Sequence, residues 1–100
     1  MLTNETVEAV IFRAIEALNA ERQPSERITP TVDTGLFGAD ALLDSLEFVS
    51  VITDVETSLN VDHGLDIALA DDRAMARPVS PYTSVATLRD YVLELAGEAS

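Results

Sequence analysis

One tripeptide of this chain joins a nucleophile to a helix start. Asp44-Ser45-Leu46 stands between a stretch broken by Pro and Gly and a run with helical periodicity. Asp44 with Glu47 three residues later is a variant of the capping box, so the spacing predicts that Ser45 opens a helix. Free backbone N–H groups and the helix dipole favour a phosphate on a hydroxyl at such a place. The chain offers this serine no base. Its one histidine, His63, lies beyond the far end of the same helix, and no Gly-x-Ser-x-Gly elbow is present. A serine suited to a phosphate but lacking an internal base reads as a modification acceptor, activated by an enzyme supplied in trans. The chain is therefore expected to be a substrate and not an enzyme. The plainer alternative is that Ser45 only completes a helix cap.

The other reactive residue types point to less. There is no cysteine, so no disulfide or thiolate is possible and any thiol chemistry has to come from a cofactor. Asp62, Asp66, Asp71 and Asp72 lack the alternating oxygens and terminal Glu of an EF-hand and read as a solvated acidic patch, with no metal expected. His63 reads as a solvated loop residue.

The elements that hold Ser45 follow from the pattern. The 100 residues suit one domain, residues 1–100. Hydrophobic residues make up 47%, enough to fold, while 18 acidic against 6 basic residues give a net charge of −12. That balance argues against nucleic acid as a partner. Val7, Val10, Ile11, Ala14, Ile15 and Leu18 share one helical face, capped by Thr3 or Asn4, in a helix over about 4–21. Pro24, Pro30, Gly35 and Gly38 punctuate a long loop, 23–43, in which Leu36 and Phe37 are expected to pin the chain to the core. The second helix is predicted over 44–60, with Leu46, Val49, Ile52 (with Phe48), Val55 and Leu59 tracing its apolar face. A short helix is expected over 70–76. The last runs over 84–96, from Ser84 as N-cap to Gly97 as its end, with Val85, Leu88, Tyr91, Val92 and Leu95 inward. No period-2 stretch is long enough for a sheet, so the expected fold is all-α: a small bundle of three main helices plus one short helix. Met1–Glu8 has no signal-peptide character and no apolar run approaches a membrane span, so a cytoplasmic, membrane-free monomer is expected.

At this point the stretch Leu36-Phe37-Gly38-Ala39-Asp40-Ala41-Leu42-Leu43-Asp44-Ser45-Leu46-Glu47-Phe48-Val49 resembles the loop-to-helix signature of the acyl carrier protein family. The order of elements is similar as well, from the long first loop through the short third helix to Thr83-Ser84-Val85 opening the last. The resemblance implies that Ser45 accepts a covalent 4′-phosphopantetheine arm from coenzyme A, installed by a phosphopantetheinyl transferase. The arm's thiol would carry an acyl or aminoacyl group as a thioester between loading and synthase enzymes. It implies that Asp44 helps position the site, that Leu46 and Val49 contact partner enzymes, and that Glu47, Asp54 and Glu56 form an acidic recognition face.

Two departures qualify the match. Many family members carry Glu five positions after the serine, where this chain has Ser50. The stretch Ile67 to Tyr82 is longer than in a typical fatty-acid carrier and contains Arg73 and Arg77. Both suggest a dedicated, specialised pathway with its own partners. Charge is also clustered: Asp44, Glu47, Asp54, Glu56, Asp62, Asp66, Asp71 and Asp72 lie between Ala41 and Asp72, which includes no Lys or Arg. Such a field suits partners with basic docking surfaces. The competing expectation is an unmodified acidic helical interaction module.

Overall fold

The computed structural model describes residues 3–36, 43–69 and 82–99. They form a small all-α bundle of three helices: α1 (Asn4–Asn19), α2 (Ser45–Asp62) and α3 (Val85–Ala99). The short helix expected over 70–76 and the anchor expected at Phe37 lie outside the described residues. The central helix is α1, which packs against both α2 and α3.

Each helix begins where local chemistry satisfies its first donors. The Thr3 hydroxyl accepts the Thr6 N–H at 3.1 Å and so caps α1. Helix α2 starts with the reciprocal box foreseen in the sequence: the Glu47 N–H donates to Asp44 Oδ1 at 2.8 Å and the Asp44 N–H donates to Glu47 Oε1 at 3.0 Å. Leu43 and Phe48 stand at the staple positions either side of this cap, and both join the core. At α3 all four leading N–H groups have partners. Val85 and Ala86 donate to the Thr34 and Val32 carbonyls, at 3.1 and 2.9 Å. Thr87 donates to Ser84 Oγ at 3.3 Å, and Leu88 to the Ser84 carbonyl at 3.0 Å. The long loop therefore helps cap α3, and Gly35 and Ser84 form an isolated antiparallel bridge.

The helix ends differ from the sequence expectation in instructive ways. Helix α1 stops at Asn19 because that side chain is buried, at 5% exposure, and turns to the loop. Asn19 Nδ2 donates to the Ile28 carbonyl at 2.7 Å, and its Oδ1 accepts the Ile28 N–H at 2.8 Å. Asn60 does the same near the end of α2, pairing with both backbone groups of Ile67 at 3.0 and 3.1 Å. Each amide stands in for one residue of a neighbouring strand. Helix α2 continues to Asp62 and is terminated by Gly64, whose φ of +66° lets the Leu65 N–H turn back to the Leu59 carbonyl. Gly97 does not end α3, which runs through it to Ala99.

The core is aliphatic, as the low aromatic content requires. Val7, Val10, Ile11, Ala14 and Ile15 of α1 are buried, as are Val85, Leu88, Tyr91, Val92 and Leu95 of α3. On α2 the buried set is Val51, Ile52, Val55 and Leu59, with Phe48 partly buried. The expected inward face through Leu46 and Val49 is corrected: they are 83% and 58% exposed, and Val51 takes the core position. The first turns of α2 are apolar on both sides, so periodicity alone does not select the inward one. Connections also contribute, through Ile28, Leu36, Leu43, Ile67 and Leu69. Arg89 on α3 ties back to α1 through Glu8 at 2.9 Å, and its hydrogen bonds to Glu8 and then Asp90 hold the guanidinium above its ordinary range.

Candidate functional site

Ser45 is the first residue of α2, one position after an exposed Asp44 cap. Two donors of this turn are used internally, since the Glu47 N–H meets Asp44 Oδ1 and the Phe48 N–H meets the Asp44 carbonyl at 2.8 Å. The backbone on both sides of Ser45 is thus held in helical register by bonds that skip over it. His63 is exposed at the opposite end of α2, roughly 27 Å away for an 18-residue helix. No general base for Ser45 comes from it.

The exposed side of α2 next to Ser45 is apolar and hydroxylic. Leu46 and Val49 project from the bundle, and Ser50, Thr53, Asp54 and Thr57 continue the stripe along the helix at exposed positions. Asp54 brings a carboxylate to this stripe. The two other acids expected beside it turn inward. The Glu47 carboxylate receives both oxygens' worth of contact from Arg22 Nη2, at 2.5 and 2.6 Å, besides the Asp44 N–H. Glu56 Oε2 accepts the Leu69 N–H at 2.9 Å. The structure therefore brings Asp44, Ser45, Leu46 and Glu47 into one turn, adds Val49 and Asp54 along the outer face, and gives Glu56 a structural bond at the side of the helix.

Arg22 is the site residue that sequence reasoning missed. It lies 25 positions from Glu47, and no local spacing connects them. A second arrangement, at the flank of α2, surrounds Leu69. Its N–H is taken by Glu56, its carbonyl accepts from the Tyr82 hydroxyl, and the Tyr82 ring meets Phe48 edge-on at 5.1 Å. Further along, an open groove of about 230 Å³ runs between α1 and α2, with Val10, Arg13 and Ala14 on one wall and Asp54 and Thr57 on the other.

Among the described residues, no group of three or more His, Asp or Glu side chains is placed to hold a metal ion, and no helix is long and apolar enough to cross a membrane. Asp71 and Asp72, half of the acidic patch, lie outside the described residues. Ser45 sits at a helix N-terminus, where the dipole favours an anion, and the Arg22 guanidinium neutralises the Glu47 carboxylate in the same turn. No family model, no curated protein and no solved structure matches this chain.

Proposed function

We propose that this chain is an acyl carrier, with Ser45 as the attachment point of a 4′-phosphopantetheine arm. The observation that carries the reading is the position of Ser45 as first residue of α2, behind an exposed Asp44 cap and beside the exposed Leu46 and Val49. At that position the helix dipole favours the phosphodiester that would form on the serine. In the loading step the Ser45 oxygen bonds to the phosphate that bears pantetheine in coenzyme A, the nucleotide half leaves, and a base of the transferase takes the hydroxyl proton. Bound there, the arm supplies the thiol that the sequence lacks and carries acyl or aminoacyl groups as thioesters.

The chain's own contribution is presentation. Asp44 and Glu47 fix the start of α2, and Leu46 and Val49 offer an apolar contact to the transferase and to loading or synthase enzymes. Asp54 adds one carboxylate for a basic residue of the partner. Contacts of this kind release quickly, as a carrier that visits several enzymes requires. The departures at Ser50 and in the segment after Ile67 favour a dedicated pathway, in the cytoplasm, with partners of its own.

The test is intact mass after incubation with coenzyme A and a promiscuous phosphopantetheinyl transferase. The expected result is the gain of one phosphopantetheine, lost in Ser45→Ala. No gain by the folded chain, under a transferase that modifies a control carrier, refutes the carrier reading and leaves an unmodified helical interaction module.

A further inference from the structure

Arg22 lies just past the end of α1 and reaches across to the start of α2. Its Nη2 donates to both carboxylate oxygens of Glu47, at 2.5 and 2.6 Å, and its Nη1 to the Glu26 carbonyl at 3.1 Å. The two side chains are only 18% and 24% exposed, and Arg22 Nε is buried. This is not a freely swinging surface pair of the kind that contributes almost nothing. A single oxygen, Glu47 Oε1, accepts from Arg22 and from the Asp44 N–H together. A continuous line of contacts therefore runs from the end of α1 through Arg22 and Glu47 to Asp44, the residue before Ser45.

Two consequences follow for Ser45. A capping-box glutamate on its own keeps rotamer freedom, and holding it costs side-chain entropy. The Arg22 guanidinium gives that carboxylate a second partner on another element and fixes it with charge-assisted bonds. The second consequence is electrostatic. Glu47 is within one turn of Ser45, and an unpaired carboxylate there would repel a phosphate forming on the serine. Pairing with Arg22 cancels that charge without placing a cation on the exposed face of α2.

We infer that Arg22 is a positioning residue for the modification of Ser45, acting through Glu47. It holds the helix start that presents the serine and removes the repulsion of the neighbouring carboxylate. The inference rests on the carrier reading above and adds to it a residue far outside the signature stretch.

The experiment measures phosphopantetheine transfer from coenzyme A by a promiscuous transferase onto the wild-type chain, Arg22→Met, Glu47→Gln and the double variant. Backbone amide exchange is followed by NMR in the same four proteins. Arg22→Met is expected to lower kcat about fivefold, the equivalent of one part-buried ion pair, with KM little changed. In the Glu47→Gln background the same substitution should change the rate no further. The Asp44 amide should exchange faster in Arg22→Met, while the amides of Val51 and Val55 keep their protection. If Arg22→Met does not fold, Arg22→Lys replaces it, and a loss of rate despite the retained charge supports the need for the planar fork. A wild-type kcat, a rise in KM alone, or additive losses in the double variant overturn the inference. A wild-type chain that takes up no phosphopantetheine overturns the carrier reading instead. The Asp44 exchange rate then still reports on Arg22: faster exchange in Arg22→Met supports its hold on the helix start, and an unchanged rate overturns it.

Discussion

Asn19→Ala is expected to be among the most damaging polar substitutions in this bundle. The Asn19 amide is buried and makes two short hydrogen bonds, 2.7 and 2.8 Å, to the carbonyl and N–H of Ile28. Ile28 is itself 8% exposed, so truncating Asn19 strands both of its backbone groups away from water. An unsatisfied buried donor or acceptor costs about 1–3 kcal/mol, and the lower half of that range applied twice gives about 2–4 kcal/mol. That is a large share of the roughly 5–15 kcal/mol available to a small domain. In urea unfolding followed by circular dichroism, the loss should appear as a lower midpoint at constant slope. Asn19→Asp provides a sharper check. The new carboxylate still accepts the Ile28 N–H but faces the Ile28 carbonyl with no donor. Only its protonated form restores that bond, so the folded pKa of this group is raised above its unfolded value. Stability relative to wild type should then be highest in acid and fall as pH rises through that raised pKa. A loss under about 1 kcal/mol for Asn19→Ala, or a pH-independent difference for Asn19→Asp, would refute the reasoning.

Glu56→Ala should cost about 1 kcal/mol in thermal unfolding through loss of the acceptor for the Leu69 N–H, and Glu56→Gln, which keeps an acceptor, should cost less. Gly64 and Gly97 should respond with opposite signs. Nothing lies within 4 Å of a Cβ added at either, so backbone conformation alone decides. Gly64→Ala, at φ +66°, should destabilise by about 1–2 kcal/mol, whereas Gly97→Ala, inside α3, should stabilise by up to about 1 kcal/mol. On the outer face, Leu46→Ala should weaken capture of the transferase more than Asp54→Asn does. The salt dependence of that binding should be shallow, because Glu47 and Glu56 are bonded within the bundle; a steep slope in a salt titration would contradict this.

What the sequence revealed and what it hid divide along the range of the interaction. The Asp44–Glu47 box, the Ser84 cap and the α1 core stripe depend on residues three or four apart, and all are readable from type and spacing. The orientation of α2 is not: Leu46 and Val49 compete with Phe48, Val51 and Ile52 on the opposite side, and only packing against α1 decides. The resemblance to the carrier family places the carboxylates of Glu47 and Glu56 on an outward acidic face. Their partners, Arg22 and the Leu69 N–H, come from remote segments that no helical period reaches. The clamps at Asn19 and Asn60 escaped for the same reason, since an asparagine near a helix end has many local uses and only the fold supplies a backbone for it to pair with.

The bond between the Tyr82 hydroxyl and the Leu69 carbonyl joins the residues on either side of positions 70–81. A connection whose two ends are already fastened adds little closure entropy when it is lengthened, because that cost grows only with the logarithm of its size. Foreign sequence grafted between Leu69 and Tyr82 would therefore begin and end at two residues already bonded to each other, beside Glu56 and Phe48. A reporter domain or an affinity peptide inserted between Leu69 and Tyr82 would leave α1, α2 and the turn around Ser45 as they are.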